Sequence, residues 1–161
     1  MKAIFNCSPL IFLVKLEILE KALNLFEDSF IPPEVREELS KREDKVKEEV
    51  SKLCDENQIK LVSYKNLNLF RSLNKRLGKG ESSAIVTAIE NFSDSGIVIL
   101  DDYVARKQAL DLGLKVKGTL GIMKKLKSLK VIVIEPLDLY EKLINIGFRT
   151  KKDIFLKIFE E

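Results

Sequence analysis

The 161-residue chain contains no histidine and no tryptophan, and only two cysteines. Without histidine, Ser-His-Asp and Cys-His catalysis are excluded, which leaves base chemistry to carboxylates, lysine, tyrosine or metal-activated water. Cys7 and Cys54 lack the paired spacing of a zinc site, and no imidazole can complete one. Both therefore read as reduced thiols of a cytoplasmic protein. No apolar run reaches the length of a membrane span. The opening MKAIFNCSPLIFLVKL is interrupted by Asn6, Pro9 and Lys15, and no small-residue cleavage site follows it, so it does not read as a secretion signal. Strong charge of one sign is also missing: 28 basic side chains against 25 acidic ones leave +3. That balance permits nucleic-acid binding without arguing for it. What is present is 45% apolar and 33% charged residues, enough for one domain core. The charge enrichment is of the kind seen in thermophile and archaeal proteins.

Local signals alternate between strand and helix. KAIFN (2–6) reads as a strand, and Ser8 at N-cap with Pro9 at N1 predicts a helix start. Helical spacing recurs over 17–26, and SFIPP is extended because Pro32 and Pro33 forbid helix before them. A long charged helix is expected over 34–57, with a narrow buried stripe of Val35, Leu39, Val46, Val50 and Leu53. IKLVSY (59–64) has strand character, 66–77 reads as a helix, and GKGESSAIVTAIENF restarts one. The strand 97–100 follows, then a helix over 103–113 closed by Gly113. LKVKG is briefly extended, Thr119 is expected to cap the next helix, and VIVIE (131–135) has strand composition. Pro136 and Gly147 bracket another helix. Thr150 and Asp153 have the spacing of a capping box for the last one, about 150–161. The pattern predicts an α/β fold in a single domain over 1–161, a central parallel sheet flanked by helices. The C-terminal helix is expected to pack on the domain or on a partner.

Chemistry concentrates where strands end. In open α/β sheets, ligands sit beyond the carboxyl ends of the strands. Asp101 and Asp102 lie there, and Asn6 closes the first strand in the same way. Successive strand side chains point to opposite faces, so the two aspartates are expected to divide their roles, one capping the following helix. Glu81 stands in the first turn of a helix, where the dipole favours an acid. Glu34 and Glu38 share one helix face. Each of these residues also has an ordinary structural reading as a cap, a turn residue or a solvated charge.

In combination and in order, NCSPLI, IPPEVREEL, GKGESSAIVTA, ILDDYVAR, LGLKVKGTLGIM and GFR resemble a branch of the PIN-domain superfamily. That superfamily is the nuclease fold of VapC-type toxins and several RNA-processing endonucleases. The resemblance runs from residue 3 to about 150. It implies an acidic site that holds one or two Mg²⁺ or Mn²⁺ ions and cuts RNA. Its acid positions fall on Asn6, Glu38, Glu81 and Asp102, with Asp101 beside them as a supporting or alternative ligand. Glu38, Glu81 and Asp102 take the catalytic roles. Asn6 departs from the usual Asp: an amide oxygen can face a cation but brings no charge and cannot act as a base.

Among the basic residues, Arg76, Lys79 and Arg106 flank these acids in sequence and are expected to meet an RNA backbone. The implied activity is a metal-dependent endoribonuclease, as a toxin of a toxin–antitoxin pair or otherwise. Single-stranded RNA, an antitoxin protein and a second copy of the chain are the candidate partners. The alternative is a catalytically weak or inactive PIN-like module that binds nucleic acid or protein, which Asn6 favours. A dinucleotide- or nucleotide-binding fold is disfavoured, since neither G-x-G-x-x-G nor a P-loop motif occurs.

Overall fold

Ala3, Ile4 and Phe5 are all inaccessible to solvent. Alternate residues of this short segment join two separate apolar clusters, Ala3 and Phe5 in one and Ile4 in the other. A strand covered on both faces belongs at the centre of a parallel sheet, and that is where the computed structural model, which describes residues 1–160, has it. In chain order the elements are β1 (Lys2–Phe5), α1 (Cys7–Lys15), α2 (Leu19–Leu23), β2 (Asp28–Ile31), α3 (Pro33–Ser40), α4 (Lys45–Asp55) and β3 (Lys60–Leu61). They continue as α5 (Leu67–Asn74), α6 (Lys79–Asn91), β4 (Gly96–Ile99), α7 (Tyr103–Asp111), β5 (Lys115–Lys117), α8 (Thr119–Ser128), α9 (Pro136–Asn145) and α10 (Lys152–Phe159).

The five-stranded sheet has the order β3-β2-β1-β4-β5, and every neighbouring pair is parallel. Ile4 aligns with Phe30 on one side and with Val98 on the other. The expected α/β architecture with a helix-flanked parallel sheet is therefore present. Because all strands point the same way, Asn6, Pro32, Asp101 and Gly118 emerge along a single edge.

Several local expectations are corrected. The long charged helix is two helices. Asp44 interrupts it by accepting from the N–H groups of Val46 (3.2 Å) and Lys47 (3.4 Å), and Arg42 pairs with the same carboxylate. The apolar stripe nonetheless survives the break, with all five of its residues buried. The first helix begins after Asn6 rather than Ser8, so Pro9 is its third residue, still in the turn whose N–H groups lack helical partners. The 17–26 helix shrinks to α2, with Glu17 at φ +61° just before it. Gly118, not Thr119, occupies the N-cap of α8.

VIVIE forms no strand. The N–H groups of Val131 and Ile132 both bond the Leu126 carbonyl, so the segment is taken up in closing α8. Ile132 and Ile134 pack against two different apolar clusters, while Val133 is 91% exposed. Thr150 makes no capping box either; α10 starts after Lys151 without a side-chain cap. Gly113 and Gly147 do close their helices at φ +84° and +89°, a conformation open to glycine without a Cβ penalty. The last helix packs on α9 through buried Phe155 and Phe159, which join Leu139, Leu143 and Phe148.

Candidate functional site

Asn6 follows the central strand directly, and its backbone N–H donates to the Ile99 carbonyl at 3.1 Å. This ties the ends of β1 and β4 together and leaves the side chain buried at the sheet edge. Opposite it, Gly80 lies in the first turn of α6. A Cβ at Gly80 would stand 2.6 Å from Asn6 Oδ1 and 3.6 Å from Glu38 Oε2. The amide oxygen and the carboxylate thus converge over a spot that only glycine leaves open. They open into a cleft of about 490 Å³, also lined by Glu34, Lys41, Lys79 and Glu81.

Each acid of the site has a local partner. Glu38 Oε2 accepts the Cys7 thiol at 2.9 Å. Burial first, and then Glu38 itself, push the Cys7 thiol far up, so it stays protonated as a donor. Glu81 folds back on its own helix and accepts from Gly78 N–H at 3.1 Å. Asp102 accepts from Ala105 N–H at 2.9 Å and is the N-cap of α7. Asp101 turns the other way, taking Thr119 N–H and Oγ1, both at 2.7 Å, with Ser8 Oγ at 3.4 Å. The adjacent aspartates point apart, but the one that caps α7 is also the one whose charge reaches Glu81, so cap and acid fall on the same residue. Asp102 sits by the other acids, while Asp101 fastens α8 and α1 to the sheet edge.

The acids also feel one another. Burial raises the Glu81 carboxyl above its usual value, the Gly78 N–H opposes this, and the charges of Asp102 and Glu38 add to the rise. Glu38, Glu81 and Asp102 are therefore electrostatic neighbours although they come from α3, α6 and the end of β4. Burial likewise raises Asp101, against the donors of Thr119 and the Arg106 charge.

A raised carboxyl holds its proton more tightly folded than unfolded. Its stabilisation is complete below the unfolded value, about 4.3 for Glu, and is lost as pH rises through the higher folded value. Glu81→Gln, which keeps the acceptor for Gly78, should lose less stability across that window than the wild type. Melting curves from about pH 4 to about pH 8 check this; a difference between the two proteins that is constant with pH would contradict it.

The basic residues separate. Lys79 lines the acidic cleft, together with Lys41, which sequence reading did not single out. Arg76 lies in another depression with Ser72, Lys75 and Gln108. Arg106 lies beside Asp101: a Cβ at Gly118 would be 3.0 Å from both Arg106 and Asp101. Sequence reading also missed Gly80 and the Cys7 donor, and it named Glu34 only as sharing a face with Glu38. One Glu34 oxygen accepts the Tyr64 hydroxyl at 2.9 Å, and the other is buried without a partner. GKG was legible as a helix start, but nothing local shows that its second glycine faces Asn6.

Among the described residues, no three Asp, Glu or Cys side chains form a ready-made metal cage, because the carboxylates are turned to their own N–H and S–H donors. The donor set nevertheless suits a hard divalent cation, which takes carboxylate and amide oxygens, and the opening over Gly80 leaves room where two of them converge. Among the described residues, no helix is long and apolar enough to cross a membrane. In comparison with protein-family models, residues 2–161 match a family described as a PIN domain. No curated protein and no solved structure matches the chain.

Proposed function

Because this chain belongs to the PIN-domain family, whose fold is of the nuclease type, we propose that it is a metal-dependent endoribonuclease acting on single-stranded RNA. The observation that carries this reading is the convergence of Asn6 Oδ1 and Glu38 Oε2 over Gly80, beside a Glu81 that senses both Glu38 and Asp102. Glu38, Glu81 and Asp102 would hold Mg²⁺ or Mn²⁺ with Asn6 as a neutral fourth donor, and Asp101 buttresses the site from Thr119. Bound there, such an ion supplies Lewis acidity that activates water and neutralises charge on a phosphate. Lys79 and Lys41 line the same cleft and offset the charge of an entering phosphate. Ile11 and Phe12 give it an apolar wall. The thiol of Cys7 holds one Glu38 oxygen on the Gly80 side of the cleft, while the residue as a whole stays exposed.

The test is incubation of the protein with a mixed RNA pool and Mn²⁺, with a chelator control. Metal-dependent cleavage supports the proposal, and intact RNA with both Mn²⁺ and Mg²⁺ would sink it. In its finer form the enzyme is a cytoplasmic toxin whose expression arrests growth and whose effect an antitoxin protein relieves.

A second reading, a PIN-like module that binds without cutting, is favoured by Asn6. This residue supplies an oxygen but no charge, and it is a buried part of the cleft lining. Asn6→Asp separates the two. Added ligand charge should tighten Mn²⁺ binding by about tenfold and raise cleavage above wild type. Calorimetric Mn²⁺ affinity and RNA cleavage are the two readouts. If neither the wild type nor Asn6→Asp cuts RNA, the binding-module reading takes over.

A further inference from the structure

On the far side of Asp101 lies a second groove of about 760 Å³, larger than the acidic cleft. Its walls are α7, β5 with the start of α8, and residues 148–158. Four cations line it: Arg106, Lys107, Lys117 and Arg149. Asp101 is its one carboxylate, already engaged by Thr119 and Ser8. Among the described residues, Lys107, Lys117 and Arg149 form no ion pair. The groove is thus built for an anion.

It also presents apolar surface. Tyr103, Lys107 and Leu110 stand four and three residues apart, hence on one face of α7. Tyr103 is 70% exposed and Leu110 59% exposed. Tyr103 lines this groove and immediately follows Asp102 in the chain. β5 is an edge strand of the sheet, and Lys115 and Lys117 at its two ends blunt it against added peptide strands. An exposed ring in a groove lined by cations is instead the arrangement on which bases stack and phosphates are neutralised.

We propose that this groove binds the single-stranded RNA segment flanking the bond cut in the acidic cleft, with a base on Tyr103 and phosphates on Lys107, Lys117 and Arg149. The assignment rests on the nuclease reading of that cleft, and charge complementarity together with the shared Asp101–Asp102 boundary carries it. Lys107→Glu/Arg149→Glu should weaken binding of a labelled single-stranded RNA by about tenfold or more, and lower the slope of log affinity against log salt by about 0.7 for each phosphate that is no longer neutralised. Tyr103→Ala should cost about five- to a hundredfold, and Tyr103→Phe almost nothing. Lys127→Glu/Lys130→Glu, outside the groove, is the charge control and should bind as wild type.

Binding is read by anisotropy in a chelator, so that it is independent of cleavage, and cleavage is then read with Mn²⁺. If the wild type cuts RNA and the groove variants bind it with unchanged affinity, the groove assignment falls and the nuclease reading stands. Loss of binding in the groove variants, with no cleavage by wild type, leaves the groove assigned and removes the nuclease. Wild type that neither binds nor cuts RNA ends both. If polyglutamate displaces the RNA and Tyr103→Ala has no effect, the groove belongs to an acidic protein segment and the proposal is overturned.

Discussion

Asp102→Asn is expected to lower RNA cleavage by at least about 10²-fold while leaving the fold and RNA binding in place. The fold survives because the interaction Asp102 makes in the structure is a cap, its Oδ2 accepting from Ala105 N–H at 2.9 Å, and Asn caps a helix about as well as Asp. RNA binding survives because the phosphates are assigned to cations elsewhere. What disappears is one of the charges that press on Glu81. The site would then keep only Glu38 and Glu81 as anionic ligands, beside two neutral amides. Circular dichroism, RNA affinity and cleavage rate, measured on one preparation, separate these effects. A variant that folds, binds RNA and cuts it at the wild-type rate would remove Asp102 from the site. Asp101→Asn should behave differently, because Asp101 is half-buried and accepts two short bonds from Thr119; its cost should appear in melting temperature.

Gly80→Ala is expected to be the most damaging single-methyl change at the site. In an ordinary helix interior this substitution stabilises by about 1 kcal/mol. Here the new Cβ would lie 2.6 Å from Asn6 Oδ1, with Val35 Cγ2 at 3.5 Å and Glu38 Oε2 at 3.6 Å. Asn6 is buried at the end of the central strand and has little freedom to retreat. Overpacking of this kind costs about 1–3 kcal/mol, so a net loss of stability is expected in place of the usual gain. Mn²⁺ binding should weaken as well, since the methyl fills the space over which Asn6 and Glu38 converge. Adding Asn6→Ala to Gly80→Ala relieves the clash and should recover stability without recovering Mn²⁺ affinity, a coupling that a double-mutant cycle measures. Gly80→Ala as stable as wild type, with Mn²⁺ affinity intact, would mean that the convergence over Gly80 has no bearing on metal.

Much of this molecule follows from local physics and could be read from the chain alone. The alternation of apolar runs with helix starts required an α/β sheet, and Gly113 and Gly147 marked helix ends because few other residues adopt their φ values. The placement of DD at the end of a buried strand followed from strand edges, whereas the union of cap and acid in Asp102 did not. The break at Asp44 was less visible, since a capping carboxylate inside a charged run looks like any other solvated acid. The failure of VIVIE to pair could not be read at all: strand composition needs a free partner edge, and this segment is instead held by Leu126.

Tertiary structure decided the rest of the site, because it joins residues far apart in sequence. Asp101 is turned from the acids by Thr119, Glu38 is held by Cys7 from another helix, and Asn6 faces Gly80 across the sheet edge. No local propensity encodes such approaches. They arise when parallel strands bring their carboxyl ends to one edge and the helices that follow are packed against it.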